Sequence, residues 1–135
     1  MAVYMLSSEY VALNGVDYSA HFKSATLVVD AAQLDTTDFA SAGWVEYIGG
    51  LKSGTLSLEV QDDAANSSID DIIWGLLGTV VTFEVRPTSS AVGTSNPKYT
   101  GSVLISSSSV GGTVGDLAMK SLSYPTSGAV TRAEA

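Results

Sequence analysis

The stretch LKSGTLSLEVQ, residues 51–61, decides the fold class, because polar and apolar residues alternate along it. Leu56, Leu58 and Val60 would point to one side of a β-strand, and the Thr, Ser and Glu residues between them to the other side. One face of such a strand lies on a core and the other face lies outside. The stretch therefore predicts a mainly β protein.

Further runs on both sides of this strand also have strand character; they are residues 9–13, 25–29, 79–86, 99–107 and 116–124. In the third of these runs, Val81, Phe83 and Val85 alternate with polar residues. Asn14-Gly15 favours a tight turn, because both residues tolerate a positive φ. Six strands joined by loops predict a β-sandwich or barrel of about six to eight strands.

One segment, NSSIDDIIWGLLG at residues 66–78, departs from the β pattern. Its apolar residues recur at helical spacing on one stripe: Ile69, Ile72, Ile73, Leu76 and Leu77. Ser67 or Ser68 can cap the first free amides, Asp70-Asp71 favours the positive end of the helix dipole, and Gly78 supplies the stop. The segment predicts one α-helix at about residues 68–77 that flanks the sheet.

A long interstrand loop is predicted at about residues 35–50. It is polar and contains glycines, yet it also holds large apolar residues that a monomer would leave in water. Loops longer than ~12 residues without structure of their own are usually functional. A second, polar loop spans residues 87–98, and the ends at 1–7 and 126–135 are predicted to be arms of a single domain, 1–135. These features are typical of a domain that completes its burial with copies of itself.

The composition agrees with association. Of the 135 residues, 45% are hydrophobic and only 15% are charged, against about 25% charged in typical domains. Few charges would have to be desolvated in a contact. The net charge is −8 and the basic residues are scattered singly, so the chain lacks the cationic cluster that grips nucleic acid.

Chemistry-bearing motifs are scarce. The chain has no cysteine, and His21 is its only histidine, so neither a hydrolytic triad nor a His/Cys metal site is predicted. Asp62-Asp63 and Asp70-Asp71 do not match the spacing of a calcium loop. No phosphate loop is present. We therefore predict no enzyme activity, no metal and no cofactor.

Targeting signals are also lacking. The opening MAVYMLSSEY has no basic region followed by an apolar run, so we expect the chain to be made without a signal peptide. No apolar stretch approaches the ~20 residues of a membrane span, and no membrane insertion is expected.

The segment LDTTDFASAGWVEYIGGLKSGTLSL, residues 34–58, resembles the tail tube (major tail) proteins of long-tailed, non-contractile bacteriophages. The likeness extends through the helix and the stretch RPTSSAVGTSNPKYTG, and it covers about residues 14–124. The positions that carry the pattern are Leu34, Thr37, Phe39, Gly43, Trp44, Glu46, Ile48, Gly50, Leu51, Lys52, Gly54, Leu56 and Leu58.

This resemblance implies hexameric rings that stack into a tail tube, with the inner sheets joined around a channel through which the genome leaves the virion. The long loop would then reach a neighbouring subunit. Its candidate interface residues are Phe39, Trp44, Tyr47, Ile48 and Leu51. The candidates for a negatively charged channel wall, along which DNA slides without binding, are Glu59 and Glu84.

The resemblance also implies partners and a location. The chain would contact itself and other tail proteins, such as the tape measure, tail tip and terminator, in the virion tail and in the host cytoplasm during assembly. Alternatives are a tail terminator, a head-completion protein or a tube protein of a contractile system. A decoration or carbohydrate-binding β-sandwich would instead use Trp44, Trp74 and tyrosines as a stacking platform.

Overall fold

The computed structural model describes residue 5, residues 8–62 and residues 69–134, and this part of the chain forms strands, one α-helix and two 3-10 turns. The strands are β1 (Tyr10–Leu13), β2 (Val16–Asp17), β3 (Phe22–Asp35), β4 (Tyr47–Gln61), β5 (Val80–Arg86), β6 (Lys98–Leu104), β7 (Met119–Pro125) and β8 (Thr131–Ala133). The helix is α1 (Ile69–Leu76), and the 3-10 turns are Ser19–His21 and Phe39–Ser41.

The strands form two antiparallel sheets that pack face to face. One has five strands in the order β2-β1-β5-β6-β8, and the other has three in the order β3-β4-β7. Buried apolar residues from both sheets form one core. The predicted mainly β fold with one helix is confirmed, and it is an open sandwich rather than a closed barrel.

The core follows the predicted alternation. Every second residue of β4, from Leu56 to Val60, is buried, as are Val81, Phe83 and Val85 of β5. The Asn14-Gly15 turn is confirmed, with φ values of 52° and 79°. It joins β1 to β2 by the two-residue connection that favours positive φ at both positions.

Helix α1 closes the core with Ile69 and Ile73, which are buried. A helix this short is unstable alone, so its burial against the sheets maintains it. Trp74 points away from the core and is exposed. The predicted caps, Ser67 and Ser68, lie outside the described residues.

The predicted loop at 35–50 is too long. Residues 47–50 belong to β4, where Tyr47 pairs with Asp35 and Ile48 with Leu34, and β3 extends well past the predicted run at 25–29. The error has a physical cause. Polar and apolar residues alternate along a strand only where one of its faces is buried. Residues 47–50 pair with β3 but do not lie on the core, so their sequence does not alternate.

The predicted carboxy-terminal arm, 126–135, contains the edge strand β8. It pairs with β6, and the hydroxyls of Thr100 and Thr131 are hydrogen bonded at 2.8 Å. Thr126 forms a bridge to Val103. Apart from Met5, the predicted amino-terminal arm lies outside the described residues.

The polar loop between β5 and β6 is organised by one side chain. The side-chain oxygen of Asn96, Oδ1, accepts from Thr88 N, and its side-chain nitrogen, Nδ2, donates to Ser90 O at 2.9 Å. Asn96 is buried despite lying in a loop. The loop is therefore pinned at its centre.

A fully buried lysine joins helix, loop and sheet. Lys120 of β7 alternates in phase with the core residues Leu122 and Tyr124, and its side chain has no exposed area. Its Nζ lies 2.8 Å from Asp70 Oδ1 in α1 and 4.0 Å from Asp62 Oδ1, and it donates to Ser109 O. A buried ammonium group needs such partners to offset its lost hydration.

Tyr124, four residues after Lys120 on β7, anchors the same loop between β6 and β7. Its hydroxyl donates to Ser107 O at 2.8 Å. Burial raises the pKa of Tyr124 from 10.0 to about 12.

Removing the buried ammonium should be costly. We expect Lys120→Ala to lower the free energy of unfolding by about 3 kcal/mol, because it leaves Asp70 without its partner and opens a cavity. Urea denaturation measures the loss. Lys23→Ala, which removes an exposed lysine, should change stability by less than about 0.5 kcal/mol. Equal stability of the two variants would contradict the role given to Lys120.

Alkaline titration should reveal the buried phenol. The unfolded chain releases the Tyr124 proton near pH 10, whereas the native state holds it to about 12. The stability conferred by the raised pKa is therefore complete below pH 10 and is lost as the pH rises through 12. Tyr124→Phe should reduce this slope in denaturation measured between pH 9 and 12. Some slope remains, because burial also raises the pKa of Tyr18. An unchanged slope would contradict the assignment.

Candidate functional site

The strands β3 and β4 continue beyond the sandwich as a two-stranded ribbon. β7 pairs with β4 only from Thr55 to Gln61, whereas the β3–β4 ladder continues from Val29 and Gly54 to Asp35 and Tyr47. At ~3.3 Å per residue, the part of β4 from Tyr47 to Gly54 extends about 23 Å. We call residues 30–53 the projecting hairpin.

A β-bulge re-aims the side chains in this hairpin. Ala31 pairs with Lys52 and Gln33 with Gly49, so the single residue Ala32 stands opposite Gly50-Leu51. A Cβ on Gly50 would lie 3.2 Å from the Ala32 Cβ, which is closer than ordinary contact. The extra residue in β4 leaves Leu51 almost entirely exposed.

The end of the hairpin is held by a capped 3-10 turn. Asp38 Oδ1 accepts from Ala40 N at 3.0 Å, while Ser41 Oγ accepts from Asp38 N at 3.1 Å, so the two side chains form a reciprocal capping box. Ala42 and Gly43 then reverse the chain with φ values of 54° and 85°. Trp44 N donates back to Ser41 O at 3.1 Å.

A second set of hydrogen bonds closes the neck of this turn. Glu46 N donates to Thr37 Oγ1 at 2.8 Å, and Thr36 N donates to Glu46 O at 2.9 Å. Hydrogen bonds from the side chain and then the backbone of Thr37 hold the pKa of Asp35 below its usual value. Asp35 and Asp38 thus serve the turn as acceptors. Residues 31–51 carry three carboxylates and no lysine or arginine.

Large apolar side chains cover this ordered backbone, and they are exposed. Phe39 and Trp44 have exposed fractions of 109% and 78%. Others on the hairpin are more than half exposed or nearly so: Leu34, Val45, Tyr47, Ile48 and Leu51. So many exposed large apolar side chains on one element favour an interaction site. Because the turn is already hydrogen bonded, little ordering would accompany docking.

The structure brings all five predicted interface residues onto the projecting hairpin. Phe39 and Trp44 lie in the turn, and the other three lie on the paired strands. Leu34 and Val45 belong to the same surface and were missed. The signal was available, since both are large apolar residues in the same polar, glycine-bearing stretch.

The two predicted channel residues lie on opposite outer surfaces. Glu59 is on the outer face of the three-stranded sheet, with Ser24 and Ser121 as its cross-strand neighbours. Glu84 is on the outer face of the five-stranded sheet and pairs with Arg86 at 2.7 Å. Glu59 and Glu84 therefore cannot both line the same channel wall.

Among residues 8–62 and 69–134 there is no cluster of three or more His, Asp or Glu side chains that could hold a metal ion. The single α-helix in these ranges is too short to cross a membrane.

No protein-family model matches the chain, and no curated protein sequence matches it. Solved structures do match. A chain in the virion of a native gene transfer agent particle superposes with a TM-score of 0.74 and 20% identity, over 93% of this chain and 95% of that chain.

A second solved chain comes from the tail of an empty gene transfer agent particle, computed with helical refinement and C6 symmetry. It has a TM-score of 0.63 and 21% identity, and the match covers 82% of this chain and 81% of that chain. At this level of identity the likeness establishes a shared fold over most of both chains.

Proposed function

We propose that this chain is a structural, non-enzymatic protein of a phage-like tail, in which it forms hexameric rings that stack into a tube. The observation that carries the proposal is the projecting hairpin, an ordered element whose largest apolar side chains, Phe39 and Trp44, are 109% and 78% exposed. The fold shared with chains of a virion and of a tail with C6 symmetry supports it.

The energetics of the hairpin favour a partner. A two-stranded ribbon without a core beneath it is marginally stable in water. Fully burying a Phe, Leu or Ile side chain contributes about 1.5–3 kcal/mol. Burial of Phe39, Trp44 and Ile48 against another copy would therefore stabilise both the contact and the ribbon. Aromatic residues of this kind dominate the energy of protein contacts.

We further propose that the outer face of the three-stranded sheet borders the channel. Its central residues are Ser57, Glu59, Ser121 and Ser123, and Glu59 forms no ion pair within the described ranges. On the other sheet, Arg86 neutralises Glu84 and stacks 4.1 Å over the Tyr10 ring. An unpaired carboxylate among hydroxyls suits a wall that must not bind a polyanion.

This proposal includes the expected surroundings. Genomic DNA would pass through the tube without specific binding, and the tape measure, tail tip and terminator proteins would be neighbours in the virion. Assembly would take place in the host cytoplasm.

Truncating the exposed tryptophan should prevent assembly. We expect the purified chain to form long hollow tubes at rising concentration in negative-stain electron microscopy, and Trp44→Ala to form none. The loss of one buried aromatic anchor weakens each contact between subunits by about 2 kcal/mol or more. The same loss recurs at every subunit of a tube.

Trp74→Ala is the matched control, because Trp74 on α1 has a similar exposed fraction of 62% but lies outside the hairpin. It should still form tubes. Loss of assembly in both variants would contradict a specific role for the hairpin. Wild-type rings that never stack would instead identify a terminator or head-completion protein.

Charge reversal in the channel should make DNA bind. We expect tubes of Glu59→Lys to retain duplex DNA inside and to protect it from nuclease. Each hexameric ring would gain six cations facing the channel, and every phosphate that a cation neutralises adds to the affinity in a salt-dependent way. Glu84→Lys tubes are the control and should leave DNA sensitive to nuclease. The reverse pattern would place the five-stranded sheet at the channel.

A further inference from the structure

A second exposed apolar surface lies at the other end of β4. We call residues 110–118, with the sequence VGGTVGDLA, the distal loop. Its last residue accepts a hydrogen bond, from Asp62 N to Ala118 O at 3.0 Å, directly after β4 ends at Gln61. The projecting hairpin begins at the opposite end of the same strand, so β4 separates the two surfaces.

The distal loop is shaped so that apolar side chains face outward. Gly111 and Gly115 adopt φ values of 118° and 91°, and Asp116 N donates to Thr113 O at 3.1 Å to close a turn. Val114, inside this turn, has an exposed fraction of 102%, and Val110 and Leu117 are also exposed. The loop is tied to the core just before it starts, because buried Lys120 donates to Ser109 O.

The two surfaces differ in shape, but both are apolar. The hairpin turn is long, aromatic and protruding, whereas the distal loop is short, aliphatic and rich in glycine. Aromatic side chains bury about 150–250 Å² each, so Phe39, Trp44 and Tyr47 offer at most roughly 450–750 Å², and somewhat less because Trp44 and Tyr47 are 78% and 59% exposed. This approaches the ~800 Å² per partner of a standard protein contact. A second copy of the chain therefore has the right chemistry for each surface.

We propose that the projecting hairpin of one copy docks on the distal loop of the next copy along the tube. The inference rests on the proposed function and names the receiving surface. Contact between two different patches is heterologous, so it repeats without closing and generates a filament. A chain with an apolar patch at each end of its longest strand has the geometry for such growth.

The charges of the two surfaces lead to a distinctive expectation. The hairpin carries Asp30, Asp35, Asp38 and Glu46 against the single cation Lys52 at its base, and the distal loop carries Asp116 and no basic residue, so both segments are net negative. Like charges oppose the contact, so added salt should promote it as the Debye length falls from about 10 Å at 0.1 M to about 3 Å at 1 M. A contact based on ion pairs would respond in the opposite direction.

The absence of cysteine allows a direct test. Ala40→Cys in the hairpin turn and Thr113→Cys in the distal loop replace exposed small residues beside the apolar side chains. They are prepared as separate full-length variants, mixed, assembled at high salt and oxidised or treated with a short bismaleimide. We expect cross-linked dimers only in the mixture, and several-fold more of them at 1 M than at 0.1 M NaCl. Trp74→Cys mixed with Ala40→Cys is the control and should give few.

The outcomes separate the inference from the proposed function. Tubes that form without the mixed cross-link, also when Gly112→Cys replaces Thr113→Cys, would overturn the docking and leave the tube standing. Cross-links in Ala40→Cys alone would show a two-fold contact between hairpins and also overturn it. A wild-type chain that stays monomeric at every concentration and salt would contradict both.

Discussion

The antiparallel ladder between β3 and β4 is the constraint on which the other features depend. β4 runs for 15 residues, and only its second half belongs to the sandwich. In that half, pairing on both sides and burial of alternate residues fix the register. Because the register is fixed there, the same ladder continues outward and determines which residues of the hairpin face each other. The core thus positions a surface that it does not touch.

Burial is distributed very unevenly along this chain. Lys120, a charged residue, is completely buried, while Phe39 and Trp44 are exposed. Each departure from the usual preference has its own physical account. The lysine is held by Asp70 and by Ser109 O, which replace its hydration. The aromatic residues have no such compensation within the described chain. The cost of exposing Phe39 and Trp44 to water would be removed if another molecule covered them. A second copy of the chain is the simplest such molecule, because it offers apolar surface of its own.

The acidic residues have different surroundings on two surfaces, the outer face of the three-stranded sheet and the hairpin turn. Serine and threonine cover the outer face around Glu59, where an unpaired carboxylate would keep DNA from binding. Around the hairpin turn, the carboxylates of Asp35 and Asp38 accept hydrogen bonds from the backbone and shape the turn. In the proposed tube, the same acidic composition would favour solubility before assembly and the passage of DNA afterwards.

The amino-acid sequence by itself determined the fold class, the core faces of β4 and β5, the helix, the Asn14-Gly15 turn and five of the seven large apolar residues exposed on the hairpin. Each of these leaves a local pattern of period, turn chemistry or misplaced hydrophobicity. Only the tertiary structure decided that residues 47–50 are paired, that Glu59 and Glu84 face opposite ways, and that Lys120 meets Asp70. Pairing outside the core leaves no alternation, and the partners of a buried charge come from distant parts of the chain. Such contacts depend on how the sheets pack, which no local pattern encodes.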